Sequence, residues 1–395
     1  MPCGCTRSAR RLYAPRFTRP TIALCLACLL LTACAGKKTH EADSIRSIVV
    51  ELAAKKAALP DVPGLSVAVL RHGQDTPVCA AFGKAALENP TPMTTASRFK
   101  IGSITKVFTA TLVHRLIEDG KLSYETPISE FFPAYPGGKA ITVRNLLEHT
   151  SGIPEMLALA EVQQNLARYW SPEDLIAMTA KQPPLFSPGT RQMYCNTGFV
   201  MLAVIAEKIT GRTYAEQVRE VFVDKLGMKS LLVGVDGAVV PGLASGYCGS
   251  GDALQLPIAA SVAIAMGTGN LEASPKDIVR LVNLDRVLKD NVLELLPLRP
   301  LVLSDGKEAA VTAKSDNYLG SELDGCTLFL FNEPKIDLIG KLGTFPGFGN
   351  VFFYDRQTGY AAAISVNNER AVSHAIALGA EILNAIRQRG VSGIK

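Results

Sequence analysis

Four serines in the sequence precede a lysine by three residues, a spacing that places both side chains on one face of a helix. These pairs are Ser97–Lys100, Ser103–Lys106, Ser304–Lys307 and Ser392–Lys395. Only Ser103 begins a long amphipathic pattern, directly after Gly102, where a helix N-terminus stabilises developing negative charge. A partly desolvated lysine has a lowered pKa and can accept the serine proton. This pair predicts a nucleophile, although an isolated pair is more often a helix cap followed by a solvated lysine.

A second candidate is Tyr194-Cys195-Asn196, the only Tyr-x-Asn in the sequence, which directly precedes an apolar helical pattern. A phenol there can pass a proton if neighbouring ammonium groups lower its pKa. The Asn196 amide can hold a substrate carbonyl or the Lys106 side chain. The alternative interpretation is a buried tyrosine beside a helix-capping asparagine.

A third candidate is Lys341-Leu342-Gly343, which precedes Thr344 and a Pro-Gly turn. The same tripeptide occurs at 225–227, where lysine and glycine are common at the end of a helix. We favour the later copy because a strand edge can present both a cation and backbone N–H donors to a substrate.

Hydrophobic periodicity indicates which elements position these residues. It predicts helices over 44–59, 103–120, 200–209 and 371–386, and strands over 65–70, 78–82, 351–354 and 361–366. Strands therefore stand at both ends of the chain, with helices between them. We predict an α/β (α+β) fold in which an antiparallel sheet from the N- and C-terminal segments is flanked by helices. A mainly helical lobe is inserted at about 122–305.

Taken together, these motifs resemble the serine β-lactamase and D,D-peptidase superfamily, closest to its class C β-lactamase and esterase branch. Residues 101–106 resemble the nucleophile motif, and 146–154 are similar to the His-Thr-Ser-Gly loop. Residues 188–196 match the Tyr-x-Asn block, 226–229 match a Leu-Gly-Met stretch, and 340–349 fit the third active-site segment. The resemblance covers nearly the whole mature chain, and its motifs occur in order at compatible separations.

The resemblance implies a role for each motif residue. Ser103 forms an acyl-enzyme, Lys106 and Tyr194 exchange its proton, and Asn196 positions the substrate. Lys341 supplies positive potential for Tyr194 and for a substrate carboxylate. Along the segment that contains Gly343, the backbone N–H of Thr344 joins that of Ser103 in an oxyanion hole. No metal or organic cofactor is implied, and the sequence lacks the Gly-x-Ser-x-Gly of the rival α/β-hydrolases.

Two departures bear on the substrate. Leu342 stands where the family's peptidases and β-lactamases usually carry Thr or another polar residue, which weakens the case for β-lactams and D-Ala-D-Ala ends. Cys195 replaces a residue that is often Ser, a small change that we expect to be tolerated. We expect His149, in the His-Thr-Ser-Gly loop, to hold that loop and to take no direct part in catalysis.

The N-terminus carries the pattern of an export signal. Five arginines and no acid precede an apolar run over 21–33, which is followed by Cys34 and small residues. This pattern resembles the lipobox of bacterial lipoproteins, in which Cys34 is diacylated and becomes the new N-terminus. The alternative is an ordinary signal peptide with an incidental cysteine. Acyl chains on Cys34 would hold the protein on a membrane surface.

Composition excludes several function classes. The chain carries a net charge of +5, but the five arginines of residues 1–33 account for all of it. The mature part is formally neutral, so nothing indicates nucleic-acid binding. The five histidines form no close ligand cluster, and we predict no metal site. Four cysteines remain besides Cys34, and their disulfide pairing is left open: Cys79, Cys195, Cys248 and Cys326.

We therefore predict three segments: a signal peptide (1–33), a lipidated cysteine and tether (34–44), and a serine hydrolase domain (45–395). The expected reaction is hydrolysis of an amide or ester in a small-molecule or peptidoglycan-like substrate. D,D-carboxypeptidase or esterase activity ranks ahead of β-lactamase activity. The expected location is the outer membrane, facing the periplasm or cell exterior, with the oligomeric state open. The alternative is a catalytically silent envelope lipoprotein that binds peptidoglycan fragments or a protein partner.

Overall fold

The computed structural model describes residues 41–289, 303–307, 321–324, 329–333 and 336–390, without side chains over 321–337. Packing separates Met1–Ser44 from the unit Ile45–Lys395, and the fold below is that of the second unit. The predicted signal peptide, Cys34, Cys326 and Ser392 lie outside the described residues. None of the helices that the structure describes is long and apolar enough to cross a membrane.

Strands occur at both ends of this unit. In chain order they are β1 (Gly64–Arg71), β2 (Val78–Ala86), β3 (Thr91–Pro92), β4 (Phe99–Lys100), β5 (Leu232–Val233), β6 (Leu271–Ala273), β7 (Ser321–Asp324), β8 (Phe329–Glu333), β9 (Ile336–Phe345), β10 (Phe348–Asp355) and β11 (Tyr360–Val366). Within the described residues, eight of them form an antiparallel sheet in the order β3-β2-β1-β11-β10-β9-β8-β7. A smaller sheet has the order β4-β6-β5.

Helices fill the middle of the chain and flank the large sheet. They are α1 (41–57), α2 (Thr105–Glu118), α3 (Val143–Leu147), α4 (Ala160–Gln164), α5 (Pro172–Ala180), α6 (Asn196–Thr210), α7 (Tyr214–Val218), α8 (Pro275–Ile278) and α9 (Val372–Gln388). A 3-10 turn, Gly102–Ile104, leads directly into α2, and a π-helical segment, Arg219–Lys225, follows α7.

The centre of the large sheet is covered on both faces. Strands β10 and β11 are buried at every position, which explains their continuous apolar sequences. One face packs against apolar residues of α1 and α9, including Ile48 and Ile382. The other face packs against the start of α2, where Phe108 belongs to the same cluster as Phe352. Helix α2 is therefore held directly over the sheet.

Helix α6 fixes the position of the second half of the site. All ten residues from Thr197 to Ala206 are buried, as expected for a helix enclosed by other elements. The helix begins at Asn196 and ends at Gly211, whose left-handed backbone (φ 66°) is the usual glycine stop. Its packing against α2, α3 and α5 brings the Tyr-x-Asn motif to the start of α2.

The predicted fold class is confirmed: an antiparallel sheet from both chain ends is flanked by helices, with a mainly helical region between. The four predicted strands correspond to β1, β2, β10 and β11, which pair as two hairpins, and the four predicted helices correspond to α1, α2, α6 and α9. Two details differ. The turn at Ser103 is 3-10 rather than α, and β4, β5 and β6 are too short for a periodic signal.

Candidate active site

Ser103 lies in the 3-10 turn that precedes α2, half-buried beside the end of β9. Gly102 makes this position possible, because its backbone is left-handed (φ 52°) and a Cβ there would lie 2.3 Å from the carbonyl oxygen of Thr344. Only glycine permits both the backbone conformation and this close approach. The turn therefore places Ser103 in close contact with β9, the strand that carries the Lys-Leu-Gly motif.

Lys106 follows on the first turn of α2, and its side chain is fully buried. Its Nζ donates to Ser103 Oγ at 3.2 Å, to Asn196 Oδ1 at 2.7 Å and to the Thr268 carbonyl oxygen at 3.1 Å. The structure thus excludes the solvated lysine of the alternative interpretation. A buried cation held in this way is positioned to exchange a proton with the serine.

Tyr194 approaches the serine from the side of α6. Its Oη donates to Ser103 Oγ at 2.8 Å. The Nζ atoms of Lys106 and Lys341 lie 4.7 and 5.2 Å from the centre of its ring. Two cations over one phenol stabilise negative charge that develops on its oxygen.

His149 packs against the ring of Tyr194. It is fully buried, its ring centre lies 4.6 Å from that of Tyr194, and its Nδ1 accepts the Cys195 backbone N–H at 3.1 Å. Burial and the nearby charges of Lys341 and Lys106 hold the pKa of His149 well below its usual range. Its backbone is left-handed (φ 57°). These contacts suit a neutral histidine that holds its loop against the Tyr-x-Asn motif.

Glu155 orients Asn196, and the sequence motifs do not reveal it. One oxygen of Glu155 accepts the Asn196 backbone N–H, and the other accepts Asn196 Nδ2–H at 3.0 Å. We call this pair of hydrogen bonds between Glu155 and Asn196 the clamp. It orients Asn196 Oδ1 toward Lys106 Nζ and toward Thr268 Oγ1, which donates to the same oxygen at 2.7 Å. The only sequence signal is that an acid follows directly after the His-Thr-Ser-Gly-Ile-Pro run.

Strand β9 forms the opposite wall of the site. Lys341 is fully buried and Gly343 is buried, whereas Thr344 is exposed. A Cβ on Gly343 would lie 2.0 Å from the Ile101 carbonyl oxygen, so the strand and the serine turn touch through their backbones. Asn350 on β10 ties the two together, because its Nδ2 donates to the carbonyl oxygens of Lys100 and Gly343.

Known proteins resemble this chain in sequence and fold. The family model described as Beta-lactamase matches residues 51–385. The chain belongs to the beta-lactamase family. A Pseudomonas fluorescens β-lactamase is 25% identical over 383 residues, which are 88% of this chain and 100% of that protein. Penicillin-binding protein 4* of Bacillus subtilis (strain 168) is 34% identical over 141 residues, 35% of this chain and 31% of that protein.

Among solved structures, D-amino acid amidase from Ochrobactrum anthropi SV3, complexed with L-phenylalanine amide, aligns with a TM-score of 0.74 and 25% identity. The alignment covers 89% of this chain and 99% of that one. The resemblance inferred from the motifs is thereby confirmed. This beta-lactamase-family protein is a serine hydrolase, and a small-molecule substrate is consistent with its relatives.

Leu342 does not line the site of this beta-lactamase-family protein. Its side chain is buried in the apolar cluster between the sheet and the terminal helices, together with Val351 and Ile376. Successive side chains of a strand point to opposite faces, so Lys341 and Gly343 face the serine while Leu342 faces away. A leucine there leaves the polar wall of the site intact.

The competing copies of each motif are placed elsewhere. Ser97 is buried and bonded to Thr94, and Ser304 begins a short turn. Lys225 is exposed and pairs with Glu220 at 2.8 Å. The structure thus brings together Ser103, Lys106, Tyr194, Asn196, Lys341, Gly343 and Thr344, the residues selected from the sequence.

The described cysteines add no chemistry at this site. Within the described residues, Cys79, Cys195 and Cys248 are free thiols, and burial raises the pKa of Cys195 to about 12 and that of Cys79 to about 11. Such thiols are poor nucleophiles at neutral pH. Among the residues that the structure describes, no group of three or more His, Cys, Asp or Glu is arranged to hold a metal ion.

Proposed function

We propose that this protein hydrolyses an amide through an acyl-enzyme on Ser103. The observation that supports this most directly is the double contact of Ser103 Oγ, with Lys106 Nζ at 3.2 Å and Tyr194 Oη at 2.8 Å. Two groups that can carry the serine proton thus meet at one oxygen.

In the proposed acylation, Lys106 starts as the neutral amine, which donates to Asn196 Oδ1 and to the Thr268 carbonyl and turns its lone pair to Ser103 Oγ. It takes the hydroxyl proton, and so becomes the ammonium, as Ser103 Oγ attacks the carbonyl carbon. The backbone N–H groups of Ser103 and Thr344 stabilise the oxyanion, and each such donor contributes roughly 3–4 kcal/mol in comparable sites. Tyr194 Oη passes a proton to the leaving nitrogen as the C–N bond breaks, and Lys106 restores the tyrosine proton. Water then cleaves the acyl-enzyme by the reverse proton transfers.

The favoured substrate class is an amide whose acyl or leaving group is a D-amino acid. A D-amino acid amidase is among the structural neighbours, and penicillin-binding proteins are among the relatives. The buried charge of Lys341, 5.2 Å from the centre of the Tyr194 ring, would attract a substrate carboxylate or carbonyl oxygen. D-amidase or D,D-carboxypeptidase activity therefore ranks ahead of esterase and β-lactamase activity.

A substrate panel tests this proposal. Hydrolysis of D-phenylalanine amide, L-phenylalanine amide, a D-Ala-D-Ala peptide, p-nitrophenyl acetate and benzylpenicillin is measured with the wild-type protein and with Ser103→Ala. We expect the D-amide or the D,D-peptide to give the highest kcat/KM, with the L-amide at least tenfold lower. Preference for the L-amide or for the ester would reject the substrate class. No turnover of any compound would favour the silent binding protein.

We also propose that the mature protein is an exported lipoprotein anchored through Cys34. The arginine-rich start, the short apolar run and the small residues around Cys34 support this. Metabolic labelling with an alkyne fatty acid in a bacterial host tests it. Cys34→Ala is expected to lose the label and leave the membrane fraction, whereas Cys28→Ala, within the apolar run, keeps both. Equal labelling of the two variants would contradict the anchor.

A further inference from the structure

A cavity of about 350 Å³ lies apart from the residues around Ser103. Its apolar walls are formed by Tyr169, Trp170, Tyr214, Val233, Val235 and Met266. None of the proposed catalytic or substrate-binding residues lines it. Its volume falls within the range of about 300–1,000 Å³ that is typical of sites for small molecules.

The charged groups of this cavity are acidic. Glu207 and Asp236 line it beside the neutral Thr213 and Asn270, and among the residues that the structure describes no lysine or arginine lines it. Glu207 Oε1 accepts the Tyr214 backbone N–H at 2.6 Å, while Oε2 bonds to no residue within the described parts of the chain. Burial raises the pKa of Glu207 above its usual range. The Asp236 carboxylate is exposed and is fixed by the Val262 N–H at 2.8 Å and by the Ser261 hydroxyl.

Aromatic faces complete a site for a cation with an apolar body. The Trp170 indole is 2% exposed, so it is part of a formed wall, whereas Tyr169 is 68% exposed at the rim. Indole and phenol faces attract ammonium groups, and the attraction increases where water is excluded. A carboxylate with one unused oxygen provides the matching charge-assisted hydrogen bond.

We propose that this cavity binds a protonated organic amine that carries an aromatic or alkyl body. The body packs between Trp170, Tyr214 and Met266, and the ammonium donates to Glu207 Oε2. No lysine or arginine lines the cavity in the part of the chain that the structure describes. Arg168 stacks on the Trp170 ring at 4.3 Å, but its charge is paired with Glu161 at 3.7 Å, so a carboxylate or phosphate ligand is disfavoured.

The cavity adjoins the segment that holds the catalytic lysine. Met266 and Asn270 line the cavity, and between them the Thr268 carbonyl accepts Lys106 Nζ–H. On the cavity side, the Tyr214 hydroxyl bonds to Thr109 Oγ1 at 2.8 Å, which in turn donates to the Gly267 carbonyl at 2.6 Å. The site is thus separate from Ser103 yet shares the 266–270 segment with it.

Trp170 is the only tryptophan of the chain, so its fluorescence reports on this cavity directly. The probe is 2-phenylethylamine, and 2-phenylethanol is its neutral counterpart. We expect a saturable fluorescence change with the amine and at least tenfold weaker binding of the alcohol. Glu207→Gln should weaken amine binding roughly tenfold, because it removes a charge-assisted hydrogen bond.

Two control variants locate the site. Glu130→Gln changes an exposed glutamate that does not line the cavity and should leave the affinity unchanged. Tyr194→Phe alters the region around Ser103 and should also leave it unchanged, which separates this site from the proposed catalytic one. Calorimetry of the same titrations covers the case in which binding does not alter the indole emission.

Three results would overturn the proposal. The first is the absence of saturable binding by both fluorescence and calorimetry. The second is equal affinity for the amine and the alcohol. The third is unchanged binding in a folded Glu207→Gln protein, or a loss of binding in Tyr194→Phe that Glu207→Gln does not show.

Discussion

At the scale of single residues, the unusual feature is a pair of fully buried lysines, Lys106 and Lys341, beside one tyrosine. Removing an ammonium from water costs several kcal/mol unless polar partners replace the solvent. Lys106 has three such partners in Ser103, Asn196 and Thr268. Buried ionisable side chains of this kind are more common at catalytic sites than in structural cores. This agrees with the proton-transfer roles proposed for the two lysines.

Glu155 is the residue whose contribution can be isolated most cleanly. Glu155→Gln replaces one acceptor oxygen by an NH₂ group, which faces a donor of Asn196 and disrupts the clamp. Lys106 Nζ then loses its fixed partner, and misplacement of a catalytic group by about 1 Å costs roughly 10²-fold in rate. We therefore expect kcat to fall by that order with little change in KM, as measured by steady-state kinetics.

The matched control is Glu161→Gln, an exposed glutamate on neighbouring α4 that pairs with Arg168. It should change neither constant. A shifted pH profile of kcat in Glu155→Gln would assign the effect to the lysine. An equal loss of kcat in both variants, or an unchanged Glu155→Gln, would argue against positioning by Glu155.

Sequence predicted the residues at the centre of the site but not their supports. Ser103, Tyr194 and Lys341 were recognisable because each stands in a short motif of specific composition. Glu155 and Thr268 act across 41 and 162 positions of sequence, as their bonds to Asn196 and Lys106 show. Contacts between residues so far apart in the chain leave no recognisable pattern in the local sequence. The supporting residues become visible only in the fold, which brings these segments together.

At the scale of elements, the site depends on the close approach of β9 to the Ser103 turn. Gly343 has no room for a side chain, because a Cβ would meet the Ile101 carbonyl at 2.0 Å. Gly343→Ala must push the strand away from the turn. We expect a loss of about 3 kcal/mol in the free energy of unfolding and a loss of most activity, since overpacking costs typically 1–3 kcal/mol.

Gly227→Ala is the control, in the other Lys-Leu-Gly copy. A Cβ there has nothing within 4 Å, and only the left-handed backbone (φ 71°) is unfavourable, at about 1–2 kcal/mol. Urea unfolding and amide hydrolysis are measured on both variants. Full activity in Gly343→Ala would show that the strand and the serine turn need not touch.

Helices and strands were predicted correctly where the hydrophobic periodicity extends over many residues. They were missed where tertiary contacts determine the local backbone conformation. Helices α6 and α9 and the β10–β11 hairpin carry sustained apolar patterns. The two-residue strands β4 and β5 exist only because β6 pairs with both. The 3-10 turn at Ser103 follows from the left-handed Gly102 and its contact with β9, which no propensity encodes.

At the scale of the whole molecule, buried histidine makes stability depend on pH. Burial lowers the pKa of His114 to about 4, from an ordinary value of 6.5. The unfolded chain binds a proton below pH 6.5 and the folded chain does not, so stability falls as the pH drops from 6.5 toward 4. This difference between the folded and unfolded pKa of His114 corresponds to a loss of about 3 kcal/mol in the free energy of unfolding near pH 4.

We expect His114→Gln to remove the part of the decrease in the free energy of unfolding that His114 causes. Urea unfolding at pH 6.5, 5.5 and 4.5 measures it. Tyr124→Phe removes the hydroxyl that lies 2.9 Å from His114 Nδ1 but leaves the ring buried, so the dependence should remain. An identical slope in wild type and His114→Gln would contradict burial of His114 as a cause.

The most direct test of the central claim is intact-mass analysis of the purified protein after treatment with a fluorophosphonate. The site predicts a single adduct that is absent in Ser103→Ala. It also predicts that Ser304→Ala keeps the adduct, because this Ser-x-x-Lys serine lies in a short turn outside the site. Labelling that persists in Ser103→Ala, or no labelling of the folded wild-type protein, would contradict an activated nucleophile at Ser103.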